Sequence, residues 1–147
     1  MGTLVAMPQA PNPTHEPLYA GLRRVRASWP SRGWSWDSRM TCVTSSFSTE
    51  FEAKARSAIA EAFSLEWTSS TVTKAPPVLR EYVDRYGGLR QGQFLFSSGP
   101  LGGNLVAFGL WWPWGDGGTV SMRLGFADVD PGRETYARVR EIFGVQL

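Results

Sequence analysis

The stretch from Asn104 to Phe126, NLVAFGLWWPWGDGGTVSMRLGF, most narrows what this chain can fold into. Two apolar, aromatic runs flank a cluster of glycines around Asp116, the pattern of two antiparallel strands and the turn between them. Gly115 to Gly118 supplies the positive φ angles such a turn needs, and Pro113 lacks the N–H to continue a central ladder. Alternation puts Val106, Phe108, Leu110 and Trp112 on one side of the first strand and Val120, Met122, Leu124 and Phe126 on one side of the second. The simplest hairpin joins these eight side chains into one core face. Its other face then carries Leu105, Ala107, Gly109 and Trp111 beside Thr119, Ser121, Arg123 and Gly125, too small and polar for a second full core.

The chain has the length for one domain, 147 residues, and its 42% hydrophobic content with seven tryptophans is enough for a substantial core. One cysteine, Cys42, can form neither an internal disulfide nor a multi-cysteine zinc site. The N-terminus has no basic region ahead of an apolar core as a secretory signal would, and no run approaches the roughly 18 apolar residues of a membrane span. A soluble, cytoplasmic protein is expected.

Charge divides the chain. Residues 1–39 hold five arginines against two acids, a balance of +3, whereas residues 40–147 hold ten bases against eleven acids. The first segment also carries five of the ten prolines and no sustained apolar period beyond a short turn over Leu18 to Val25. It reads as a disordered or loosely packed leader, with Met40 as an alternative start of translation. Trp29, Trp34 and Trp36 argue against a pure linker. Residues 40–147 read as the single folded domain.

From Met40 the punctuation is regular. Met40 to Phe47 suits a strand, and Thr49 with Glu52 has the spacing of a capping box ahead of the apolar stripe Phe51, Ala55, Ala58, Ile59, Ala62 and Phe63. Leu65 to Thr73 suits a second strand. Pro76 and Pro77 open a helix with Leu79, Tyr82, Val83 and Tyr86 on its buried side, and Gly87-Gly88 closes it. Gln93 to Ser97 is a third strand, joined to the hairpin by the turn SGPLGGN. After the hairpin, Asp130 and Pro131 start a last helix, with Tyr136, Val139, Ile142 and Phe143 inward. The order β-α-β-α-β-β-β-α predicts a two-layer α+β domain, a mainly antiparallel sheet of about five strands with about three helices on one face.

For chemistry the informative fact is an absence. The only histidine, His15, lies in the leader, so residues 40–147 hold no imidazole for general base work or metal binding. Cys42 suits a buried hydrophobe better than a nucleophile. Glu66, Asp84, Asp116, Asp128 and Asp130 could form a carboxylate site, but Asp116, Asp128 and Asp130 are accounted for by a turn, a loop and a cap. Neither catalytic residues nor a metal or cofactor are expected. SGPLGGN and WGDGG lead into strands, unlike phosphate loops, which lead into helices. The tryptophans could stack on sugars or single-stranded nucleic acid. Contact with a protein is the better use, because Trp and Arg most often anchor interfaces. Trp111 and Arg123, flanked by Ser121 and by Trp114 and Asp116 of the loop, form the expected partner-binding patch. The alternative is that another element covers this face and Trp111 is core.

The succession APPVLREYVDRYGGL, GQFLF, a glycine turn and GLWWPWGDGGTVSMRLGF resembles the small α+β immunity proteins of bacterial polymorphic toxin systems, and among them the family numbered fifty-two. The resemblance spans Met40 to Leu147 and is carried mainly by Gly109 to Gly118. It implies a non-enzymatic protein that binds and neutralises a cognate toxin domain, often a nuclease. Charge fits a nuclease target poorly, because residues 40–147 carry only −1 where inhibitors of nucleases are often strongly acidic.

Overall fold

In a computed structural model, the structure describes residues 16–31, 33–98, 106–127 and 132–145, with the side chains of 132–134 left aside. From Cys42 onward the elements follow the expected order: β2 (Cys42–Ser48), α2 (Glu52–Ile59), β3 (Leu65–Trp67), α3 (Pro77–Arg85), β4 (Phe94–Ser97), β5 (Val106–Pro113), β6 (Thr119–Ala127) and α4 (Gly132–Ile142). Ahead of them stand α1 (Glu16–Ser28) and β1 (Ser35–Asp37). The six strands form one sheet in the order β1-β2-β6-β5-β4-β3, antiparallel throughout, so the hairpin β5-β6 is its middle. The fold is α+β. The SGPLGGN turn and the Asp130-Pro131 helix start lie outside the described residues.

The register of the central hairpin differs from the simplest reading. Trp111 pairs with Met122, Trp112 with Ser121 and Gly109 with Leu124, so the large apolar residues of the two strands point to opposite sides. Volume explains the choice. On one face Ala107 and Gly109 leave room for Leu124 and Met122, and a Cβ on Gly109 would stand 2.4 Å from Met122 Cε. On the other, Phe108 lies over Gly125, where a Cβ would stand 3.2 Å from its ring and 3.1 Å from Cys42 Cβ. Each strand is small where its neighbour is large, and both faces acquire a core.

Three helices cover one face, as expected in number though not in membership. α1, α2 and α4 pack there, on Val43 and Phe47 of β2, Phe96 of β4, Trp111 of β5 and Val120, Met122, Leu124 and Phe126 of β6. α3 lies on the opposite face, where Leu79, Tyr82 and Val83 meet Met40, Cys42, Leu95, Phe108 and Leu110. Its end is fixed by Gly87 and Gly88, both at positive φ, whose N–H groups return to Asp84 and Val83.

Residues 16–39 are part of this domain, contrary to the loose leader expected from their composition. Leu18, Leu22 and Val25 of α1 are buried, Trp29 Nε1 donates to Ser45 Oγ at 3.1 Å, and the Trp29 ring meets Phe47 edge-on at 5.2 Å. Trp34 contacts Phe143 at 4.4 Å, and Trp36 extends the sheet opposite Val43. The stripe of α1 has helical spacing, and its arginines sit on the outward side. Arg26 also reaches across to donate to Ile142 O at 2.8 Å, tying α1 to the end of α4. The start of α2 also differs: Ser48, rather than Thr49, accepts from a backbone N–H, that of Glu50 at 3.4 Å, and a turn of 3-10 helix over Thr49–Phe51 precedes the α-helix.

Candidate functional site

On the α3 side of the sheet the register places Trp112 of β5 opposite Ser121 of β6, and Ser121 opposite Ser46 of β2. The core beneath α3 takes in Met40, Cys42, Leu95, Phe108, Leu110 and Ala127 of this face, and Trp112 packs against its edge. Past it the sheet presents Thr44, Ser46, Ser121 and Arg123, polar residues at positions that would be apolar under a helix. Ser46 is exposed, and Thr44, Trp112 and Arg123 are half-buried.

The Arg123 guanidinium stacks on Trp112, its carbon 4.5 Å from the ring centroid, and its Nε lies 3.5 Å from Asp37 Oδ2. That distance is a charge contact without hydrogen-bond geometry, so Arg123 Nε is a buried donor with no acceptor. Trp112 Nε1 is a second one. Asp37 is also engaged at the β1-β2 turn, where its Oδ1 accepts from the N–H groups of Arg39 and Met40 at 3.0 and 3.1 Å. Beside Trp112 opens a cavity of about 260 Å³ lined by Arg39, Tyr86, Gly87, Gly88, Arg90 and Gln93. Tyr86 Oη donates to Arg39 O at 2.9 Å, so the end of α3 is anchored to the β1-β2 turn.

The expected partner-binding residues are divided by this geometry. Trp111 is 2% exposed, on the three-helix face between Phe47 and Phe96, with the Arg56 guanidinium 5.0 Å from its ring centroid. It forms no patch with Arg123, because the Trp111–Met122 and Leu110–Arg123 pairs point to opposite sides. Arg123, Ser121 and Trp114 do come together, around Trp112. Trp114 is half exposed, and its Nε1 donates to Ser121 Oγ at 3.0 Å, which sits 3.2 Å from Ser46 Oγ. Asp116 shapes the hairpin tip: Oδ1 accepts from the N–H groups of Gly118 and Thr119 at 2.8 and 3.0 Å, and Oδ2 from Thr119 Oγ1 at 3.1 Å. These bonds, the one from Gly118 first, hold its carboxyl below the usual range. Trp112, Asp37, Arg39, Arg90 and Gln93 are the additions to the site. The sizes of Gly109 and Gly125 were the available signal, since two glycines on strands with bulky neighbours mark where a partner side chain crosses.

A larger cleft of about 740 Å³ lies between the end of α1, the Trp29–Trp34 segment and α4, lined by Arg23, Arg26 and Lys54 among others. Its cations are mostly engaged: Arg26 holds Ile142 O, and Arg23 faces Glu16 at 3.7 Å on its own helix. Volume therefore ranks the two cavities opposite to their free donors. Elsewhere, Cys42 is fully buried and its thiol is pushed up to about 12, chiefly by that burial, which removes the thiolate a nucleophile needs. Glu66 is paired with Arg56 at 2.9 Å, and among the described residues no three histidine, cysteine or acidic side chains converge as a metal site would require. Among the same residues no helix is long and apolar enough to cross a membrane. No family model, curated protein or solved structure matches the chain.

Proposed function

We propose that this protein is a non-enzymatic binding module whose partner surface is the open part of the α3-side sheet face, centred on Trp112, Arg123, Ser121 and Trp114. The single observation that carries the reading is the Trp112–Arg123 stack, an aromatic and an arginine side chain held half-buried together beside exposed Trp114 and Ser46. Aromatic and arginine side chains in such a setting are the residues that dominate protein interfaces. Stacking of a sugar or a base is less well supported. Arg123 already lies against one side of the Trp112 ring, and Trp111 is buried.

The resemblance to immunity proteins makes a cognate toxin domain the partner, neutralised in the cytoplasm by occlusion rather than by chemistry. Arg39, Arg90 and Arg123 against Asp37 give the surface a positive balance, which suits an acidic patch on that toxin better than the basic cleft of a nuclease. The test is co-expression with the product of the adjacent gene, followed by affinity measurement. Trp112→Ala and Arg123→Ala are each expected to weaken binding by about 30-fold or more, roughly 2 kcal/mol. Affinities within about twofold of the parent for both variants would refute the assignment.

A further inference from the structure

We propose that the cavity beside Trp112 is a receptor for a single carboxylate, supplied in the complex by an acidic side chain of the protein partner. The proposal rests on the reading of this face as a partner surface and adds the chemistry of its central contact.

The hydrogen-bond inventory of the lining points one way. Trp112 contributes to one wall of it. Arg39 and Arg90 can only donate, and among the described residues neither guanidinium has an ion-pair partner. Gln93 commits its Oε1 to the Arg90 N–H at 2.8 Å, which leaves its amide NH₂ as a further donor. Tyr86 directs its hydroxyl hydrogen to Arg39 O. The lining is thus rich in donors and positively charged, and its complement is an acceptor with negative charge.

Size narrows the class. At about 260 Å³ the space is smaller than the roughly 300–1,000 Å³ of cavities that enclose drug-sized molecules, which favours a small group. A carboxylate fits the planar guanidinium donors, and it can accept from the Gln93 amide NH₂ at the same time. The cavity is also held in shape without a ligand. Gly87 and Gly88 fix the end of α3, and Tyr86 anchors it to the turn that carries Arg39.

The experiment needs no partner. Acetate is titrated into the full ¹⁵N-labelled chain while the indole N–H resonance of Trp112, assigned with Trp112→Phe, is followed, with sodium chloride at equal ionic strength as the control and inorganic phosphate as a second arm. A saturable shift with a midpoint on the order of 1–10 mM is expected for acetate and none for chloride. The double variant Arg39→Gln/Arg90→Gln, both at exposed positions, is expected to keep the dispersed spectrum and raise the midpoint at least about tenfold. No shift beyond the chloride control, an unchanged midpoint in the double variant, or phosphate binding more tightly than acetate would each overturn the proposal. Acetate binding without any effect of Trp112→Ala on toxin affinity would leave the receptor in place and remove the partner surface, so the two readings fail separately.

Discussion

The two faces of the sheet are built from the same strands and end differently. On the face covered by α1, α2 and α4, an aromatic series runs Trp34, Trp29, Phe47, Trp111 and Phe96, with centroids 5.2 to 6.1 Å apart, and the Trp29 indole N–H donates to Ser45. On the α3 face the core is smaller, and at its edge Trp112 and Arg123 retain donors without acceptors. A face that exists to hold the fold satisfies its polar groups. On the proposed function, the other face serves a partner as well as the fold.

The comparison can be broken most severely by removing what closes the first face. A chain beginning at Met40 lacks α1, Trp29 and the edge strand β1, and with them Leu18, Leu22 and Val25 from the core. It is expected to lose more than about 5 kcal/mol and to show no cooperative thermal transition, since each such side chain contributes a few kcal/mol. A thermal midpoint equal to that of the full chain would show that residues 16–39 are not built into the core. The register itself is probed by Gly125→Val. Its side chain would meet Cys42 and the Phe108 ring on the α3 face, and a loss of about 1–3 kcal/mol is expected in urea unfolding.

Alkali tests the α3 face alone. Cys42 is raised to about 12, and burial pushes the Tyr82 hydroxyl, which donates to Met40 O at 2.6 Å, above the tyrosine range. Both groups keep their protons longer folded than unfolded, so the unfolded chain binds fewer protons as pH rises. Stability is then intact below about pH 9 and falls towards pH 12, each group contributing up to about 1.4 kcal/mol per pH unit. Cys42→Ala is expected to flatten part of that slope, and an unchanged slope would contradict a thiol held neutral by burial. The smallest effect belongs to β2. Ser46→Ala, at an exposed position whose hydroxyl meets Ser121, is expected to alter unfolding by about 0.5 kcal/mol or less.

Much of this architecture was legible in the sequence because periodicity reports on each element separately. The stripe Leu79, Tyr82, Val83 and the pair Gly87-Gly88 located α3, and the glycines around Asp116 located the hairpin. Alternation could not fix how the two strands face each other. It orders residues within a strand, and a shift of one position in pairing moves every side chain to the other side. With bulky residues at both parities, the deciding term was volume, the fit of Leu124 against Gly109 and of Phe108 against Gly125. The same shift exchanged Trp111 and Trp112 between core and surface, while Arg123, Ser121 and Trp114 kept their common side. α1 was obscured for another reason. Its arginines and the prolines of the surrounding segment gave a disordered composition, although the apolar stripe that decides docking needs only Leu18, Leu22 and Val25.

The most direct measurement sets urea unfolding of Trp111→Ala beside that of Trp112→Ala. Trp111 is enclosed by aromatic rings on the three-helix face, so its removal is expected to lower stability by about 3–5 kcal/mol, whereas Trp112, half-buried on the open part of the other face, is expected to lower it by about 2 kcal/mol or less. The reverse order, a tolerated Trp111→Ala with a Trp112→Ala that unfolds the protein, would contradict the assignment of one face to folding and the other to a partner.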